Sequence, residues 1–142
     1  MKYSRIDISQ IDVLWELQKA YKAEIQEEPP ADTDKENLKE AIRENRIIFY
    51  GAWDQDSLVG CCSITIGFST FHYALSGVFE DFYICPQYRH KGIARKLVQF
   101  AFADSRIDSM TVGCADCDKQ MYQALGFSVP LGNLLAYSPL AR

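Results

Sequence analysis

Hydrophobic positions along the chain follow a helical period, then a strand period, then a mixture of the two. After a short opening strand, Leu14, Leu17, Tyr21 and Ile25 recur at the spacing of one helical face. Ser9 supplies a capping hydroxyl before them, and Asp12 lies where the positive helix end favours an acid. Pro29 and Pro30 break that helix. Thr33 with Glu36 repeats a capping-box pattern, and Leu38, Ala41 and Ile42 predict a second, shorter helix ending before Asn45. From Ile47 the pattern turns to strand through Trp53, with a polar turn at 54–57 and a second run from Leu58 to about Phe68, an antiparallel hairpin. After a loop over 69–76, a third strand runs from Val78 to Ile84 and stops at Pro86, which has no amide to continue a ladder.

The second half alternates more quickly. Gly92 to about Ala103 is helical, with Ile93, Leu97 and Phe100 or Ala101 on one face. Ser109 to Ala115 reads as a strand, and Asp116 as the cap of a helix through Leu125, closed by Gly126. Phe127 to Leu131 and Leu134 to Tyr137, joined at Gly132-Asn133, predict a closing hairpin. The expected architecture is α+β: one domain over 1–142, a mixed, mostly antiparallel twisted sheet of about six to seven strands, flanked by about four helices.

Composition narrows this picture without redirecting it. At 142 residues and 48% hydrophobic, the chain can bury one full core. No apolar run reaches the roughly 18 residues of a membrane span, and no signal-like stretch follows Met1, so a cytoplasmic protein is the expectation. The net charge of −4 argues against a nucleic-acid surface. Charge is uneven, however. Glu24, Glu27, Glu28, Asp32, Asp34, Glu36, Glu40 and Glu44 outnumber Lys35, Lys39 and Arg43, whereas Arg89, Lys91, Arg95 and Lys96 crowd a stretch with no acid. Five cysteines read as free thiols; Cys114 and Cys117 have the spacing of a redox or metal pair, but without two further ligands they are expected to be small buried thiols, and no metal is expected.

The basic stretch falls where chemistry is easiest. Between Arg89 and Ala94 a strand end gives way to a helix start, where unpaired amides and the positive end of the helix dipole suit a phosphate. Gly92 lets an anion approach the backbone, Ala94 is nearly as small, and Arg89 or Lys91 can add charge. A helix that merely starts on a basic surface would show the same pattern. Neither a Walker loop nor a G-x-G-x-x-G turn is present.

Arg89-His90-Lys91-Gly92-Ile93-Ala94 resembles the [QR]-x-x-G-x-[GA] signature of the GNAT acetyltransferases, in which loop amides grip the pyrophosphate of acetyl-CoA. The run from Asp81 to Arg89 resembles the family's strand and proline-containing turn, and Met121-Tyr122-Gln123-Ala124-Leu125-Gly126-Phe127 its tyrosine-bearing helix. The resemblance covers nearly the whole chain. It implies cofactor contacts at Arg89, His90, Lys91, Gly92, Ile93 and Ala94, and backbone pairing of the pantetheine arm with Phe82, Tyr83 and Ile84. It implies Tyr122 as the acid that protonates the departing thiolate. One departure is the asparagine many members carry after the fifth strand, replaced here by the Cys114 to Cys117 region.

A substrate amine must lose a proton before it attacks. A base or a water relay can take it; Glu80 and Asp81 are the candidate bases, sent to opposite faces by strand alternation, with Glu80 preferred, and a surface or salt-bridged carboxylate is the alternative for either. His72 and Tyr73, before that strand, and Trp15 and Tyr21, on the first helix, either line the acceptor pocket or belong to the core. The expected activity is transfer of acetyl from acetyl-CoA to a primary amine of a small cationic molecule in a ternary complex. A CoA-binding regulatory module without catalysis and a peptide or protein N-acetyltransferase are the alternatives, and the family's habit implies a homodimer.

Overall fold

A computed structural model of the chain describes residues 1–139. Its sheet has five strands in sequence order: β1 (Lys2–Arg5), β2 (Ile47–Asp54), β3 (Ser57–Ser69), β4 (Ala74–Ile84) and β5 (Ser109–Val112). β1 to β4 pair antiparallel, and only β4 and β5 run parallel. Four helices flank it: α1 (Ile11–Glu24), α2 (Asp32–Arg43), α3 (Ile93–Ser105) and α4 (Lys119–Ala124).

The sheet is covered on both faces. One face packs Phe49, Trp53, Leu58, Cys61 and Tyr83 against α1 and α2. The other packs Tyr50, Ala52, Cys62, Ile64, Phe79 and Ile84 against Ile93, Leu97, Val98 and Ala101 of α3. Burial on both sides explains why β2 and the first half of β3 read as continuous apolar runs rather than alternating ones.

The helix starts differ from expectation. The cap before α1 is Asp7, not Ser9: its carboxylate accepts from the Ser9 amide at 2.7 Å and from the Ser9 hydroxyl, while Gln10 accepts from the Asp7 amide at 3.0 Å. A 3-10 turn over Ile8–Gln10 therefore precedes α1. The buried residues of α1 are Ile11, Leu14, Trp15 and Gln18, while Ile25, the residue that caps the helix end, is exposed. At α2 the Asp34 carboxylate accepts from the Ala31 amide at 2.8 Å, so the start lies two residues before the predicted Thr33 cap. Asp116 opens a 3-10 turn rather than α4 itself.

The predicted closing hairpin does not form. Among the described residues, those after α4 belong to no strand or helix, and the sheet stops at five strands. Pro130 deprives the first arm of a donor, and β5 offers an edge only four residues long. Leu131, Leu134, Leu135 and Tyr137 consequently lie in solvent, each at least three-quarters exposed. Cys114 and Cys117 are also exposed, contrary to the buried thiols expected, whereas Cys61 and Cys62 are fully buried. No described helix is long and apolar enough to cross a membrane.

Candidate active site

A fork between β4 and β5 organises the site. β4 faces β5 only from Ser76 to Phe79, opposite Ser109 to Val112, because β5 ends there. β4 runs on through 80–84 with β3 on one side and, among the described residues, no strand on the other. Backbone groups of Phe82, Tyr83 and Ile84 thus lie beside an opening rather than inside a sheet. The Phe82 side chain packs on the α3 side, Tyr83 on the α1 side, and Ile84 in the core.

At the end of β4 the chain turns toward α3. Pro86–Tyr88 form a 3-10 turn, the Tyr88 hydroxyl donates to Asp54 at 2.7 Å, and the Lys91 ammonium lies 5.6 Å from the Tyr88 ring. His90 and Gly92 both take left-handed backbone angles, with φ of 63° and 82°. A Cβ on Gly92 would meet nothing within 4 Å, so the space over this glycine is open to a ligand. Ile93 is buried and Ala94 half-buried; their contribution to an anion site would be their amides. His90 and Lys91 are exposed around the same opening. Open backbone at the start of a thirteen-residue helix, small residues and a free lysine fit the diphosphate of acetyl-CoA.

Arg89 does not join that opening. Its Nε donates to the Ile84 carbonyl at 2.7 Å, its Nη2 to Glu24 at 2.6 Å, and its guanidinium lies 5.4 Å from the Tyr83 ring. The expected phosphate ligand is engaged with the end of β4 and the end of α1.

Tyr122 sits at the throat of the fork. Its ring packs against Phe82 at 6.2 Å, Phe127 at 5.9 Å and Phe79 at 6.4 Å, edge-on to the last two. Burial, reinforced by Tyr21, Asp118 and Cys114, pushes its phenol up to about 12. Tyr122 therefore holds its proton throughout the neutral range. Tyr21 on α1 is raised too, first by burial and then by Asp81, Glu27 and Glu80, so the phenol of α1 and the carboxylates of β4 share one neighbourhood.

A bulge places those carboxylates. The β3–β4 register slips between Cys61 and Ser63, and Asp81 takes φ 54°. Glu80 stands directly opposite Ser63, which puts both on one face; Asp81 reaches that face as well, accepting from the buried Ser63 hydroxyl at 2.6 Å. Alternation would have sent Glu80 and Asp81 to opposite faces, and the extra residue of the bulge cancels it. Glu80 is exposed and Asp81 half-buried. Sequence reasoning missed Ser63, since nothing in Cys61-Cys62-Ser63-Ile64 marks a bulge; the one available signal was that aspartate tolerates left-handed angles. Of the other candidates, Trp15 is core, while His72 and Tyr73 lie exposed at the β3–β4 turn.

A separate cavity of about 1090 Å³ lies between α3, β5, α4 and the extended C-terminal segment. It includes Tyr122 and Cys114 but no residue of 80–94, so it adjoins the fork without being it.

Solved structures share this fold. The chain aligns over 100% of its length with 99% of a probable acetyltransferase at a TM-score of 0.84 and 19% identity. It aligns over 96% with 95% of a predicted acetyltransferase from Clostridium acetobutylicum, solved with acetyl-CoA, at 0.77 and 16%. It aligns over 99% with 96% of an aminoglycoside acetyltransferase from an uncultured soil metagenomic sample, in complex with sisomicin, at 0.83 and 14%. No curated protein matches it by sequence. Residues 45–129, more than half of the chain and the span that holds the fork, the bulge, the glycine turn and Tyr122, match the acetyltransferase (GNAT) domain family, and the chain belongs to that family of acetyltransferases.

Proposed function

We propose that this enzyme moves an acetyl group from acetyl-CoA to the primary amine of a small cationic acceptor, with both substrates bound at once. The observation that carries the proposal is the fork: β4 runs on beyond β5 between an open helix start on one side and two carboxylates with Tyr21 on the other. Acetyl-CoA supplies an activated thioester when bound. The amides of Gly92, Ile93 and Ala94, helped by Lys91 and His90, hold its phosphates, and backbone groups of Phe82, Tyr83 and Ile84 hold the extended arm. An amide on the open edge of β4 that donates to the thioester carbonyl stabilises the charge that builds there during attack.

The acceptor approaches from the α1 side. Its ammonium, with a pKa of about 10.4 if it is lysine-like, gives one proton to Glu80, whose exposure leaves it free to meet an incoming amine. Asp81, fixed by Ser63, adds a second negative charge that favours a cation. A protein of similar fold is an aminoglycoside acetyltransferase, solved in complex with sisomicin, which supports a small-molecule acceptor. Tyr122 donates to the departing sulfur. A phenol pushed up to about 12 is a weaker acid than a thiol near about 8.5, so Tyr122 acts first as a hydrogen-bond donor to the nascent thiolate. As the C–N bond forms and the C–S bond breaks, the attacking nitrogen sheds its second proton, and that proton neutralises the thiolate while Tyr122 keeps its own.

The decisive experiment mixes the purified protein with acetyl-CoA and a panel of amines while thiol release is followed. Amine-stimulated release, greatest for small di- and polycations, is the expected result. Tight acetyl-CoA binding without release across the panel would instead identify a CoA-binding module, and release only with peptides would identify a peptide acetyltransferase.

A further inference from the structure

The arginine that opens the glycine turn is engaged by the ends of β4 and α1. Arg89 Nε donates to the carbonyl of Ile84, the last residue of β4, at 2.7 Å. Its Nη2 pairs with Glu24, the last residue of α1, at 2.6 Å. Its plane lies over Tyr83, 5.4 Å from the ring. Three elements therefore meet on one side chain: the donor strand, the helix that covers the acceptor side, and the turn that leads to α3. A guanidinium suits such a place because its donors form a rigid fork, whereas a lysine would offer a single point of charge.

We propose that Arg89 is a positioning residue rather than a phosphate ligand: it fastens the C-terminal end of α1 to the end of β4 and so sets where Tyr21 packs on the face of the sheet that carries Cys61 and Tyr83. Tyr21 stands one turn before Glu24 on the same helix. Any loosening at Glu24 thus reaches the acceptor side before the donor side. The proposal rests on the acetyl-transfer reading for its kinetic consequence, but donor binding tests it without turnover.

The test uses Glu24→Gln, Arg89→Gln and the double variant. Acetyl-CoA affinity is measured by calorimetry, and kcat and KM are measured with the amine that turns over fastest in the panel. Both Arg89 and Glu24 side chains are partly exposed, at 35% and 46%, so the ion pair is worth at most about a fivefold change. The expected result is that Glu24→Gln raises the amine KM by about that factor, that acetyl-CoA affinity stays within about twofold, and that the double variant is no worse than Arg89→Gln. A phosphate-ligand arginine held back by Glu24 gives opposite signs: Arg89→Gln weakens acetyl-CoA binding about tenfold or more, and Glu24→Gln tightens it. That outcome overturns the proposal, as does an amine KM that neither variant moves. If no amine turns over, the acetyl-transfer reading fails, while the signs of the two acetyl-CoA affinities still separate strut from ligand.

Discussion

In the proposed reaction Tyr122 carries the heaviest demand of any single side chain. Its phenol must keep its proton as the thiolate leaves, and burial favours that by pushing the group up to about 12, well above neutral pH. Tyr122→Phe is expected to lower kcat about 100-fold, within the span of general acid catalysis, while acetyl-CoA affinity changes little because the ring still packs on Phe82 and Phe127. Equal turnover by the two proteins would remove the hydroxyl from the mechanism. An alkaline loss of kcat below pH 10 that disappears in the phenylalanine variant would contradict the raised pKa. The tyrosine, the glycine turn and the acids were all legible in the sequence as residues. Their partners were not. That Ser63 grips Asp81 and Glu24 grips Arg89 depends on a bulge and on a helix end meeting a strand end, and neither leaves a local trace.

Elements were read well where hydrophobic period decided them and poorly where hydrogen-bond competition did. α3 follows its apolar stripe, and β2 and β3 follow their continuous runs. The start of α1 was misplaced because Asp7 and Ser9 both qualify as caps, and the reciprocal bond with Gln10 selects the earlier one. Turn chemistry alone does not make the closing hairpin: Gly132 takes φ 91°, yet the flanking segments lie largely in solvent. Two glycines separate packing from binding at this scale. A Cβ on Gly77 of β4 would press into the buried side chains of Ile64 and Ile107, so Gly77→Ala should cost about 1–3 kcal/mol by urea unfolding. Gly92→Ala meets no protein atom and loses only the ease of a positive φ, roughly 1 kcal/mol or more. Its larger effect should be on acetyl-CoA affinity by calorimetry. If affinity tracks stability in both variants, the turn at Gly92 is not where the phosphates lie.

The whole molecule stores several groups that resist ionisation. Cys61 and Cys62 are held well above the usual thiol range by burial, and Tyr50 above the usual phenol range by burial and its bond to Asp104 at 2.9 Å. Groups whose pKa is raised on folding stabilise the fold fully below their unfolded values and lose that contribution as pH rises above them. Stability should therefore hold to about pH 8 and fall from about pH 9 upward, first through the thiols at about 8.5 and then through the phenols at about 10. Urea midpoints across this range would show it. Replacing Cys61 and Cys62 together with alanine should flatten the early part of the fall even though it lowers the midpoint itself. An unchanged slope would assign the alkaline loss elsewhere.

The fork exists because β5 stops at Val112 while β4 continues to Ile84, which makes it a product of segment length and turn position rather than of side-chain identity. A cleft encoded by where a strand ends places almost no demand on which residues build the strand. Chains that share 14% to 19% of their residues with this one can therefore share its fold. What distinguishes this chain at the fork is carried by side chains: on the α1 face, two acids are turned the same way by a single extra residue.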